Sequence, residues 1–344
     1  MDRRRFCHSL GGLLGAGLLF PFSSVACCDS HEGAASAFPV RIQGALGNTI
    51  IDAPPKRVIA LGAGAEDIAL SLGVVPIAIE PHVFGGDKQG YFPWFKEKIK
   101  QIGAPLPEII PVYPELDIEK IISLKPDLIL APQSGFSEDI FRQLSSFVPV
   151  VAHPKLPWLT PWQEQIRLSG LALGKVQEAV LLEQKIHNLF LLYRQQYPQL
   201  QRYSFAYLNA GSRLSYLSSY VAGDPRVDML MSLGLKLFPA VKEFSVRPGS
   251  FAANIGLENA DKFFDVDIVI SWFYNQKIKE EVDKISLFRA IPAIRRGSYI
   301  PLTDPEIIMA TSYGSLLSLE WGLPKFMPLL LQAIENVPTK RGAL

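Results

Sequence analysis

The chain has 344 residues, with 34 Lys+Arg against 33 Asp+Glu, 48% hydrophobic and 19% charged residues. That apolar content fills about two cores at roughly 150 residues each, which excludes wholesale disorder, and a formal charge of +1 excludes bulk attraction to nucleic acid. Beyond residue 30 no apolar run is long enough to span a bilayer, and all three Cys lie at or before residue 28, so the body holds no disulfide, thiolate metal site or Cys nucleophile.

Residues 1–28 read as an export signal: Arg3, Arg4 and Arg5, a Gly-diluted apolar stretch, then the small residues Ser24-Val25-Ala26. Arg3-Arg4-Arg5-Phe6 resembles the twin-arginine signal, which implies the twin-arginine export machinery as a partner and a periplasmic destination. Cys27 or Cys28 offers a site for a lipid anchor, although neither has the expected residues before it. Residues 29–37 (DSHEGAASA) read as a flexible leader.

From residue 38 short aliphatic strands alternate with helices. RVIALG (57–62) is a buried strand, AEDIALSLG a helix stopped by Gly73, and VVPIAIE a strand; LDIEKIISLKP, DLILAP and VPVVAHP continue the pattern. Residues 158–200 are helical, with Thr160-Pro161 as a start and a long helix over about 175–196. YSFAYLNAG, DPRVDMLMSLG, LKLFP, IGLENADKFF, DVDIVISW and RGSYIPL then replay the first half, and a closing helix pair follows. The expected fold is α/β: two Rossmann-like lobes with mainly parallel sheets (38–157 and 201–338), bridged by a long inter-lobe helix, with a tail at 339–344.

PKRVIALGAGAEDIALSLGVVPIAI, LDIEKIISLKPDLILAP, VPVVAHP, WQEQIRLSGLALGK, DPRVDMLMSLG and IGLENADKFFDVDIVIS together resemble the periplasmic binding proteins of iron–siderophore ABC importers, whose lobes are joined by one long helix. The resemblance implies a monomeric receptor, not an enzyme, that takes a ferric siderophore and delivers it to an ABC transporter permease in the inner membrane. It implies no cofactor, since the chelator itself holds the iron.

A ligand between two such lobes meets the loops after the strand C-termini. Those loops hold Tyr91, Trp94, Gln133, Ser134, His153 and Trp158 in the first lobe, and Arg213, Tyr216, Arg247, Trp272 and Tyr274 in the second. Aromatic faces suit a bulky chelate, and the two Arg lean toward an anionic one; each aromatic has loop packing as its alternative. Arg226 is expected to pair with Asp224 or Asp228 on its own helix. In the resembled family one acid on each lobe pairs with permease arginines. By position these are Asp67, with its neighbour Glu66, and Glu258, although acids in a helix's first turn also answer its dipole.

Three other functions compete. Gly62, Gly64 and Glu80 approximate a dinucleotide fingerprint and would make the chain an exported NAD(P)-dependent oxidoreductase, against which Asp67 stands where a third Gly belongs. A haem or cobalamin receptor would share the fold. His82 and His153 could hold a bare divalent metal, but the ligand set is sparse. No G-x-S-x-G elbow marks a serine hydrolase.

Overall fold

The structure is a computed structural model that describes residues 38–210, 216–247 and 250–338; the signal-like segment 1–28 with Cys27 and Cys28, the leader 29–37 and the tail 339–344 lie outside the described residues. A hairpin of β1 (Val40–Gln43) and β2 (Asn48–Ile51) opens the fold, burying alternate residues. The first lobe then runs β3 (Val58–Ala60), α1 (Ala65–Ser71), β4 (Ala78–Ile79), α2 (Pro93–Ile102), β5 (Glu108–Ile109), α3 (Ile118–Ser123), β6 (Leu128–Leu130), α4 (Glu138–Ser145) and β7 (Val150–Val151). Its five strands are all parallel, in the order β5-β4-β3-β6-β7. The central strands are apolar throughout because helices cover both faces: every residue of β3 and β6 is buried. Strand order reverses between β3 and β6, so their C-terminal loops diverge and leave a crevice.

Two helices lead away: α5 (Trp162–Leu173), closed by Gly174, and α6 (Val176–Gln196), the 21-residue bridge expected from the sequence and roughly 31 Å long. The second lobe holds β8 (Ser204–Asn209), β9 (Ser218–Tyr220), α7 (Pro225–Ser232), β10 (Lys236–Leu237), β11 (Ala252–Asn254), β12 (Ile268–Trp272), α8 (Gln276–Val282), α9 (Ser286–Ala290), α10 (Pro292–Arg295) and β13 (Tyr299–Leu302). Its sheet, β11-β9-β8-β12-β13 with β10 also on β8, is mixed: β9 and β11 pair antiparallel and the others parallel. The expected helix at IGLENADKFF is a 3-10 turn at Leu257–Phe263.

The chain closes with α11 (Pro305–Tyr313) and α12 (Leu316–Glu335). Asp304 caps α11 ahead of Pro305, and Ser315 caps α12 through Ser318 N. Residues 316–335 form one helix despite Pro324 and Pro328, because both prolines and the carbonyls they free face solvent. Gly322 lets α12 approach α11: a Cβ there would stand 2.6 Å from the Ala310 methyl. Although α12 follows the second lobe, it packs on α1 and α2 of the first as well as on α6 and β13. One core cluster therefore runs without a break from Val58 and Leu128 through Ile186 and Leu330 to Phe205 and Ile270. Among the described residues no helix is long and apolar enough to cross a membrane.

Candidate functional site

The loops at the switch point of the first sheet are fastened to each other. Leu61 N donates to Leu130 O at 2.9 Å and Ala63 N to Gln133 O at 3.1 Å. Gly62 has φ +83, and a Cβ there would strike the Gln133 carbonyl. Gln133 reaches on to the next loop, donating through Nε2 to Trp158 O at 2.7 Å and accepting from Thr160 N at 2.8 Å. These bonds hold Trp158 in the left-handed region at φ +62, with its side chain out in the open at 45% exposure. Gly135 makes room for the indole, which a Cβ at that position would overlap.

Two cavities flank Trp158. One, of about 360 Å³, lies on the seam between the lobes, with Ala63, Gln133 and Trp158 on one side, Asp224, Arg226 and Phe251 on the other, and Met309, Ser312 and Tyr313 of α11 beside them. The other, of about 500 Å³, lies behind Trp158 in the first lobe, among Glu80, Leu116, Ser134, Phe136 and Ile140. On the second-lobe wall Arg226 makes the pairing read from the sequence: Nε donates to Asp224 Oδ1 at 2.8 Å and Nη2 to Oδ2 at 2.6 Å. Its guanidinium also lies 3.9 Å from the centre of the Tyr220 ring. Burial works to lower its pKa, but Asp224 outweighs that and holds it above the ordinary value. Tyr220 OH accepts from Trp272 Nε1 at 2.9 Å, so the buried Tyr220 ties β9, α7 and β12 together behind Arg226.

Of the residues nominated from the sequence, Gln133, Ser134 and Trp158 line the cavities. Trp272 lines neither cavity but donates to Tyr220, the ring that lies under Arg226, and Tyr274 stacks on Phe84 of the first lobe at 5.1 Å, making a contact across the seam. Other nominations need correction. Trp94 is buried between Phe92 and Trp321 with Nε1 bonded to Asp67, because the start of α2 turns it inward on α1 and α12, and Tyr91 borders an outer groove with its OH donated to Pro107 O. His153 is 2% exposed and borders neither cavity, and burial lowers its pKa. Tyr216 is half-buried and Arg247 exposed, both away from the cavity linings, and Arg213 lies outside the described residues. The sequence reading missed α11 as a wall and Arg226 as a cleft residue. The signal for Arg226 was there: Asp-Pro-Arg at a helix start, just after a strand.

Glu66 and Asp67 are fully buried and cannot meet a permease. His82 Nε2 sits 2.8 Å from Glu66 Oε1, and Asp67 Oδ2 accepts from Trp94 Nε1 at 2.9 Å and from Ser315 Oγ, at the start of α12, at 2.6 Å. Burial and the adjacent Glu66 push the Asp67 carboxyl up to about 7 against these two hydrogen bonds. Burial alone would lower His82, but Glu66 overrides it and raises the imidazole pKa. Glu258, by contrast, is exposed in the first turn after Gly256. The dinucleotide pattern is tied up within itself: Gly62 N donates to Glu80 Oε2 at 2.8 Å, and the helix that would face a pyrophosphate carries the two buried carboxylates. Among the described residues no group of three or more His, Cys, Asp or Glu is arranged to hold a metal ion.

Known proteins share this fold. The crystal structure of PiaA from Streptococcus pneumoniae TIGR4 in complex with ferrichrome superposes with a TM-score of 0.79 at 29% identity, covering 87% of this chain and all of that one. From Bacillus subtilis (strain 168), the "Probable siderophore-binding lipoprotein YfiY" is 22% identical over 308 residues, 84% of this chain and 89% of its own. YhfQ of the same organism, which bears the name of an ABC transporter substrate-binding lipoprotein, is 29% identical over 158 residues, so that match spans 44% of this chain and only 46% of the relative. The profile of the family described as periplasmic binding protein matches residues 96–305, which is more than half of the chain and takes in both sides of the seam. By that match the chain belongs to the periplasmic binding protein family.

Proposed function

We propose that this chain is the extracytoplasmic substrate-binding protein of an ABC importer: it holds a ferric siderophore between its lobes and presents it to the permease. The observation that carries the reading is the seam cavity around Trp158 and Arg226, set at the strand-order reversal of the first sheet, in a fold shared at 29% identity with a ferrichrome complex. Phe251, Trp158 and Tyr313 supply aromatic faces to a large chelate, and Arg226 and Gln133 supply donors to its oxygens. The chelator fills the iron's coordination sphere, so the protein needs no metal ligand of its own, and the passenger leaves chemically unchanged. Export by the twin-arginine route, anchoring at Cys27 or Cys28, action as a monomer and permease docking through exposed Glu258 belong to the same proposal.

Tryptophan fluorescence tests it. Titrating the purified protein (residues 29–344) with ferric trishydroxamate, tris-catecholate and citrate chelates is expected to quench emission with at least one of them at micromolar concentration or below. Trp158→Phe is expected to remove most of that quenching. Absence of quenching and of thermal stabilisation with every ferric chelate would defeat the proposal.

A further inference from the structure

The chamber behind Trp158 differs from the seam in chemistry. Its walls are apolar, from Val112, Leu116, Ile118, Phe136 and Ile140, and its charged groups are two carboxylates, Glu80 and Glu115; no described residue lining it is cationic. Glu80 spends one oxygen on Gly62 N, and burial raises its pKa, the Glu66 carboxylate adding to the effect. Independently, Ser134 lines the same chamber at 1% exposure, and its hydroxyl has no hydrogen-bond partner among the described residues. A buried polar group without a partner is costly unless something else satisfies it. On the seam side the described cation, Arg226, is already matched by Asp224. The described lining of the two cavities thus carries one cation against three carboxylates, Glu80, Glu115 and Asp224.

We propose that the chamber is a subsite for an apolar arm of the chelate ending in an ammonium group, so that the preferred cargo is a neutral ferric core with a cationic tail. The inference rests on the binding reading above and reverses the anionic preference first read from Arg213 and Arg247. A ferric trishydroxamate has the right charge, since three singly charged chelating groups cancel Fe³⁺, whereas a tris-catecholate carries three negative charges toward Glu80 and Glu115. The arm enters past Trp158, which walls both cavities. Its ammonium meets the carboxylate of Glu80 while the methylenes lie against Leu116 and Phe136.

The test compares the iron(III) complex of desferrioxamine B, a trishydroxamate with a terminal ammonium, with its N-acetylated and therefore uncharged form, by fluorescence titration at low salt. Wild-type protein is expected to bind the charged complex about tenfold more tightly, as a partly desolvated charge-assisted contact would give. In Glu80→Gln, which retains an acceptor for Gly62 N, that ratio falls toward one; Glu115→Gln lowers it less, since Glu115 is exposed at the mouth. Equal wild-type affinities overturn the subsite and leave the binding reading standing. A preference that survives both substitutions is steric and overturns it too. Tight binding of a tris-catecholate alone does the same, while failure of every ferric chelate to bind removes the binding reading itself. The wild-type comparison decides the matter even where a variant does not fold.

Discussion

Trp158 is held by its neighbours' backbones more than by its own packing. Its amide donates to Ser134 O at 3.3 Å and its carbonyl accepts from Gln133, while the indole lies against Gly135 with almost half its surface open. Gly135→Ala is therefore expected to displace the ring without disturbing the core, because residue 135 is itself exposed. Affinity for the ferric chelate should drop at least tenfold and the melting temperature by no more than about two degrees; an unchanged affinity would mean that the indole does not touch the passenger. On the facing wall Arg226→Ala removes the guanidinium and leaves Asp224 as a buried carboxylate without its partner. It should weaken chelate binding by about 2 kcal/mol, with a loss of stability separable by a melt of the unliganded protein. At this scale the sequence was half legible. Gln133, Ser134 and Trp158 could be named because position after a parallel strand fixes which end of the sheet a loop occupies. Trp94 and Tyr91 could not be placed, because the direction of a loop aromatic depends on the α2 and α12 surfaces that meet there, and these are far apart in the chain.

At the scale of elements, α1 is informative. Two carboxylates in its first turn suit the helix dipole, and that alternative to docking fits better once α12 is seen to cover them. The Ser315–Asp67 bond joins the cap of α12 to α1 across 248 residues of sequence. Buried Asp67 binds its proton more tightly folded than unfolded, moving from the ordinary 3.8 to about 7. Folding therefore takes up a proton between those values, and stability grows as pH falls through 7. His82, also raised when folded, contributes stability that is present in acid and lost as pH climbs through its folded pKa, so both groups act in the same direction. Between pH 8 and 6.5 the unfolding free energy should rise by on the order of 1 kcal/mol, seen as a melting temperature higher at pH 6.5. Asp67→Asn should reduce that slope to the part His82 supplies, and a wild-type slope of opposite sign would reject the ionisation assigned to the cluster. The parallel strands and long helices were legible because burial on both faces leaves unbroken apolar runs. The short antiparallel β9 and β11 were not: Ser218-Ser219-Tyr220 and Ala252-Ala253-Asn254 carry no pattern, and β9 owes its register to β8 and β11 to β9. The closing helix pair read from the sequence is one helix over residues 316–335, since only the packed structure shows that Pro324 and Pro328 both face water.

For the whole molecule the question is how far the lobes can part. A receptor whose lobes share only flexible strands can swing widely, but here the core cluster passes from one sheet to the other through α5, α6 and α12. Any large rotation would have to open that apolar contact to water. The seam has further ties: Phe84 stacks on Tyr274, and a Cβ on Gly85 would strike Met309 and the Pro305 carbonyl. Loading should therefore change the shape little, with a difference in radius of gyration between empty and ferric-chelate-bound protein below about 1 Å by small-angle scattering; a change of several ångströms would mean that the spine of α6 and α12 bends. A receptor that scarcely changes its outline gives the permease little beyond the contact surface itself to recognise. With Glu66 and Asp67 buried, Glu258 is the one exposed acid of the three proposed for that contact. Glu258→Arg should then abolish chelate-dependent iron uptake in cells while leaving the fluorescence affinity within about twofold of wild type, because residue 258 borders neither cavity. Full uptake by the variant would move the docking surface elsewhere, and loss of affinity together with uptake would place Glu258 in the fold rather than at the interface.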